Sequence, residues 1–206
     1  MDSAYLEVQD LRDILKPEAV GWANSHSPNL AELVFGAKTV IEVGSFTGAA
    51  VTWMAHHNPA ARFYCVDTFL GSPEITDDGN TPTQYGRKLY LERFLFNTYC
   101  AGVAEQITPV INTSTQGARI LRGKGVVADL IYIDAGHDYL ECYNDLVAYN
   151  VLLKRPGGVM LVDDFHDNWP GVIAAVYRFC VEAGYSLEIK HDQAILRPAY
   201  SVEVKR

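Results

Sequence analysis

Two short segments concentrate side chains able to do chemistry. Asp134-Ala135-Gly136-His137-Asp138-Tyr139 and Asp163-Asp164-Phe165-His166-Asp167 each set carboxylates beside an imidazole. Carboxylates crowded into one site repel one another and hold protons above their ordinary range. A hard divalent cation resolves that conflict, since Mg²⁺ takes oxygen ligands and keeps several waters. Asp134, Asp163 and Asp164 are therefore the expected metal ligands, for Mg²⁺ or another divalent cation. His166 and His137 are the expected general bases, because an imidazole titrates near neutrality. The plainer readings are turn caps ahead of Asn168 and Trp169 for the carboxylates, and surface or packing roles for the histidines.

A second set lies nearer the N-terminus, in Glu42-Val43-Gly44-Ser45-Phe46-Thr47-Gly48. Its glycines permit a tight turn and close approach of a ligand to the backbone, and the helix that follows would offer free N–H groups. A Walker A loop needs Lys-Ser/Thr after its last glycine, and Ala49 stands there instead. A dinucleotide fingerprint needs a glycine where Glu42 stands. A Glu-x-Gly-x-x-x-Gly loop suits a sulfonium cation with an amino-acid tail, as in S-adenosylmethionine; a plain strand-to-helix turn stays open. Asp67, followed by Thr68, lies 25 residues past Glu42, where a carboxylate receives ribose hydroxyls; alternatively it caps a turn. In Asn112-Thr113-Ser114-Thr115-Gln116 the polar side chains suit an adenine edge, with Ser114 or Thr115 equally suited to a helix N-cap.

These residues meet only if the chain brings strand ends together. Short apolar runs predict seven strands: 39–43, 62–66, 106–111, 129–133, 159–162, 186–190 and 193–197. Their near-continuous Val, Ile and Leu suit strands covered on both faces. Helical patterns lie between them. Residues 47–57 carry Val51, Met54 and Ala55 on one face, and 85–101 carry Leu89, Phe94, Leu95 and Tyr99. Residues 139–153 carry Leu140, Tyr143, Leu146, Val147 and Val151, and 169–183 carry Val172, Ile173, Val176, Phe179 and Cys180. Two further patterns, 5–15 and 18–35, precede the first strand, and a Gly/Pro-rich polar stretch after Asp67 reads as a lid. Alternating β and α units imply a doubly wound, mostly parallel α/β sheet of the Rossmann-like type, whose ligands bind beyond the carboxyl ends of the strands.

The composition agrees with one such domain. The chain has 206 residues, 49% hydrophobic and 20% charged, with a net charge of −8. That acidic balance argues against nucleic acid as a partner. No apolar run approaches a membrane span, and the first residues show no signal peptide. Cys65, Cys100, Cys142 and Cys180 are far apart with no Cys-x-x-Cys pair, which reads as reduced thiols in a cytoplasmic protein.

Taken together, the segment from Lys38 to Arg197 resembles the class I S-adenosylmethionine-dependent methyltransferases. Glu42–Gly48 is similar to that family's first motif, Asp67 to its ribose-binding acid, and Lys154-Arg155-Pro156-Gly157-Gly158 to the turn before its fifth strand. Ile133–Tyr139 followed by Asp145-Leu146 resembles a bacterial branch with macrolide-sugar O-methyltransferases. Asp134 with Asp163-Asp164 resembles the metal triad of the catechol type, and Asp163-Asp164-Phe165-His166 a sugar-modifying run of two ligands and a base. The resemblance implies a single domain, residues 1–206, with a helical extension at 1–37 and a catalytic core at 38–206. It implies S-adenosylmethionine bound by Glu42, Gly44, Ser45, Gly48, Asp67, Thr68, Ser114 and Asp134, and a small hydroxylated acceptor such as a sugar, catechol or polyketide. No membrane partner is implied, and a homo-oligomer is left open. The competing readings are a metal-independent methyltransferase with a histidine base, a nicotinamide-dependent oxidoreductase and a non-catalytic nucleoside-binding protein.

Overall fold

A computed structural model describes residues 28–71, 83, 84 and 86–199. The expected helix at 5–15 and most of the proposed lid lie outside these residues. In chain order the described elements begin with α1 (Pro28–Val34), β1 (Thr39–Val43), α2 (Ala49–His57) and β2 (Arg62–Asp67). A two-stranded ribbon follows, β3 (Thr83–Gln84) and β4 (Arg87–Lys88), then α3 (Tyr90–Cys100) and β5 (Ile107–Ile111). The chain continues through α4 (Ser114–Gly123), β6 (Leu130–Ile133), α5 (Tyr139–Asn150), β7 (Val159–Val162) and α6 (Pro170–Ala183). It closes with β8 (Tyr185–Lys190) and β9 (Gln193–Pro198).

Seven strands form one sheet in the order β5-β2-β1-β6-β7-β9-β8. All neighbours from β5 to β7 are parallel, and β9 runs antiparallel to both β7 and β8. The seven expected strands are all present, with ends shifted by at most one residue. The strand order reverses between β1 and β6, which creates the crevice where doubly wound sheets bind ligands.

Alternating side chains from the strands feed two apolar layers. Ile41, Val43, Ile131 and Val162 pack with Leu121, Leu146, Tyr149 and Phe179 from α4, α5 and α6. Val40, Phe63, Leu130 and Leu161 pack with Leu30, Val34, Met54 and Phe94 from α1, α2 and α3. Fully burying such a side chain stabilises the fold by roughly 1.5–3 kcal/mol.

Three elements differ from expectation. Helix α4 is anticipated only as the helix start offered at Ser114 or Thr115, without a range of its own. On α5 the apolar stripe is not the buried face, since Leu140, Val147 and Val151 are 66%, 47% and 57% exposed. Cys142, Asp145, Leu146 and Tyr149 face inward instead. A polar pair is tolerated there because both hydrogen-bond to α4. The Ser114 hydroxyl donates to Asp145, and the Tyr149 hydroxyl donates to the Ser114 carbonyl at 2.8 Å. Likewise Leu95 and Tyr99 of α3 are exposed.

Candidate active site

Register places the chemistry. Val66, Val43, Ile133 and Val162 stand level across four parallel strands. The next residue of each chain segment is Asp67, Gly44, Asp134 and Asp163. Main-chain bonds carry the ladder one step further. Gly44 N–H donates to Val66 O, Asp134 N–H to Val43 O and Asp163 N–H to Ile133 O, each at 2.9 Å. The loops after β1 and β6 touch at this point. A Cβ on Gly44, whose φ is +89°, would stand 1.8 Å from the Asp134 carbonyl oxygen. Only glycine allows both that backbone angle and that approach.

The loop after β1 is tied down by Asp67. Its Oδ2 accepts the Phe46 N–H at 2.8 Å and its Oδ1 accepts the Phe69 N–H at 2.6 Å. Phe46 and Phe69 both have positive φ, 44° and 56°, a strained state for bulky residues. These hydrogen bonds help to hold them there. A carboxylate has about four lone-pair sites, so Asp67 keeps two for other donors. Gly48 (φ +83°) opens α2 against the Phe94 ring, which a Cβ would meet at 2.9 Å. Glu42 is buried between its register partners Cys65 and Tyr132. Burial, with help from the Asp67 charge, pushes its carboxyl up to about 7, against the pull of Ser45 and Cys65. Glu42 Oε2 and Ser45 Oγ are neighbours but form no hydrogen bond of good geometry. Thr68 Oγ1 accepts the Leu70 N–H at 3.3 Å.

At the β5 end, Ser114 does not cap α4. Thr113 holds the N-cap position without a side-chain bond. The Ser114 hydroxyl instead donates to Asp145, whose carboxyl burial pushes up to about 7.

The acidic loops divide differently from the sequence expectation. Asp134, His137 and Asp164 each offer a ligand atom within 4.8 Å of the others. Asp163 stands outside this group. Its Oδ1 accepts Gln193 Nε2 at 3.1 Å and the Asp164 N–H at 2.9 Å, and its Oδ2 accepts the Tyr132 hydroxyl. The same hydroxyl lies 3.1 Å from Asp134 Oδ2. A phenol has one proton, so the second contact is complete only when Asp134 carries one. Burial, then the charges of Asp163, Asp164 and Glu42, push the Asp134 carboxyl well above the usual range. Asp164, held at φ +56°, is the opposite case. Its bond to His137, and then that to His166, hold its carboxyl below the usual value despite partial burial.

Both imidazoles face Asp164 through Nε2, His137 at 2.8 Å and His166 at 3.2 Å. The Asn168 N–H points at His166 Nδ1 from 3.3 Å, so neutral His166 carries its proton on Nε2. The His137 ring stacks on Trp169, with centroids 4.1 Å apart and planes 18° apart. Tyr132, Trp169 and Gln193 escaped sequence reading. Tyr132 and Gln193 sit inside apolar strand runs, and Trp169 reads as a helix start.

Residues 41–165, more than half of the chain, match the family model described as a methyltransferase domain. The chain belongs to this methyltransferase family. No curated protein matches the sequence. Solved structures share the fold of this methyltransferase. One is an O-methyltransferase family protein from Burkholderia thailandensis, with a TM-score of 0.57 at 14% identity over 84% of this chain. The methyltransferase spans only 55% of that protein. Another is an O-methyltransferase from Bacillus cereus in complex with SAH, at 0.60 and 16% identity, over 94% of this chain and 91% of that one. A third is CalS11, a TDP-rhamnose 3'-O-methyltransferase of calicheamicin biosynthesis, at 0.57 and 19% identity, over 93% and 81%. The methyltransferase therefore carries a doubly wound, Rossmann-like fold.

Proposed function

We propose that this methyltransferase transfers the methyl group of S-adenosylmethionine to a hydroxyl of a small molecule, with a divalent cation at the acidic loops. The observation that carries the reading is the contact of Gly44 with the Asp134 carbonyl. It joins a loop suited to the cofactor and a cluster suited to a cation at one crevice. In this reading Gly44, Ser45 and Gly48 bind the amino-acid end, while Glu42 stays buried beneath them as support. Asp67 receives the ribose hydroxyls on its two remaining lone pairs, beside Thr68, and Ser114 borders the adenine.

Asp134 and Asp164 hold the cation, and the donor chemistry fits. Two carboxylate oxygens suffice for Mg²⁺, which fills the other positions with water or substrate oxygens. A cation held there would supply orientation of two neighbouring acceptor oxygens and a lowered hydroxyl pKa. Asp163 holds the shape of the loop from behind. Of the two candidate bases, exposure favours His166, whose side chain is 29% exposed against 18% for His137. His137 meets Asp164 through Nε2, and its Nδ1 is buried, out of reach of an acceptor hydroxyl. The resulting oxyanion would attack the sulfonium methyl in line, with the S–CH₃ bond breaking and S-adenosylhomocysteine leaving, and alignment would supply much of the acceleration.

Calorimetry with S-adenosylmethionine, S-adenosylhomocysteine and NAD tests the cofactor; binding of NAD alone would reject the reading. Turnover with panels of sugar and catechol acceptors, before and after EDTA and with Mg²⁺ restored, tests the cation. A rate untouched by EDTA would favour the metal-free alternative, in which a histidine beside Asp164 acts alone. His166→Gln is expected to lower turnover more than His137→Gln does.

A further inference from the structure

The loop after β7 is braced from outside its own strand. Gln193, the buried first residue of β9, donates from Nε2 to Asp163 Oδ1 at 3.1 Å. Behind it, Asn29 at the start of α1 is also buried. Asn29 Nδ2 donates to Gln193 Oε1 at 3.1 Å and to the Lys190 carbonyl at 2.6 Å. The Phe165 N–H donates to the Asp192 carbonyl at 2.8 Å, so the turn at 190–193 is fastened to both α1 and the acidic loop.

This chain of bonds has a direction. A main-chain carbonyl only accepts, so Lys190 requires the NH₂ end of Asn29. That end also meets Gln193, which therefore turns its oxygen toward Asn29 and its NH₂ toward Asp163. Asp163 receives the donor that a carboxylate needs. It then fixes the loop, accepting the Asp164 N–H on one oxygen and the Tyr132 hydroxyl on the other.

We propose that Gln193, polarised by Asn29, is a positioning residue that fixes Asp163 and, through its bond to the Asp164 N–H, the aim of Asp164 toward a divalent cation. The proposal rests on the cation-binding reading above. Groups that orient metal ligands in this way are typically worth 10–100-fold in metal affinity.

The test titrates Mn²⁺ into the full-length protein by calorimetry, with S-adenosylhomocysteine titrated in parallel as a measure of the intact fold. Gln193→Met removes the donor and keeps a side chain of similar length. It is expected to weaken Mn²⁺ binding by about tenfold or more and to leave S-adenosylhomocysteine affinity unchanged. Asn29→Asp inverts the polarity, because a carboxylate only accepts. Gln193 would then turn its amide over and present oxygen to Asp163, so the Mn²⁺ loss should match or exceed that of Gln193→Met. Wild-type Mn²⁺ affinity in Gln193→Met overturns the inference and leaves the proposed function standing. A wild-type protein that binds S-adenosylhomocysteine but no Mn²⁺ overturns the cation reading and this inference with it. Loss of both ligands in Gln193→Met assigns Gln193 to folding and overturns the positioning role.

Discussion

The two halves of the strand-end row are held by different means. At the β1–β2 end, Asp67 grips main-chain N–H groups of Phe46 and Phe69, the farther only 21 residues away in sequence. At the β6–β7 end, Asp163 and Asp164 depend on side chains from other elements. Gln193 comes from β9, and Asn29, which holds Gln193, lies 164 residues from it. Backbone donors are present whatever the neighbouring residue types, so the first half needs little beyond its glycines and one carboxylate. The second half needs the whole sheet assembled before its carboxylates point correctly.

Four substitutions break or sharpen that contrast. Gly44→Ala has the largest expected effect, because it strikes where the halves touch. A Cβ at φ +89° and 1.8 Å from a backbone oxygen cannot be absorbed locally. Stability should fall by roughly 3 kcal/mol or more, seen as a lower thermal midpoint, with binding of both S-adenosylhomocysteine and Mn²⁺ lost. Asp164→Ala should separate the halves. Turnover is expected to drop by about 100- to 1000-fold as cation binding disappears, while S-adenosylhomocysteine affinity stays near wild type. A parallel loss of both affinities in calorimetry would deny that the halves are independent.

Asp67→Asn makes the complementary cut. The new NH₂ cannot accept from Phe46 or Phe69, and one ribose acceptor is lost. S-Adenosylhomocysteine should bind about 10- to 100-fold more weakly, with Mn²⁺ affinity unaffected. Glu42→Gln acts on stability rather than on the acidic half. Burial raises the Glu42 carboxyl to about 7, so the folded state binds its proton more tightly than the unfolded chain does. That contribution is fully present below the ordinary carboxyl range and is lost as pH rises through about 7. The Gln variant should therefore show a flatter stability profile between pH 5 and 7, and a relative gain of roughly 3 kcal/mol above it. Urea unfolding across that range measures the difference.

The first half was the more legible in sequence for the same physical reason. Glycines at fixed spacing and a strand-end aspartate name their positions without help from distant residues. In the acidic half the loops were legible but not the side-chain directions. Asp163 follows directly from a strand, just as Asp134 does, yet it turns to Tyr132 and Gln193. Helix α5 shows the same limit. Its apolar spacing marked a helix, but Ser114 of α4 decided which face could be buried, since only a bonded Asp145 tolerates the interior. Helix α4 was legible only as a helix start at Ser114 or Thr115, because just three of its residues, Gly117, Ala118 and Leu121, are buried, too faint a stripe to give its length.

By itself the sequence determined the order of strands and helices and the polar residues that end each strand. Apolar runs bounded by glycine and carboxylates leave the chain few other ways to bury itself. Only the tertiary structure decided which of those end residues meet. A rotamer is chosen by the partners it finds across the sheet, and those partners come from β9 and α1, far away in the chain.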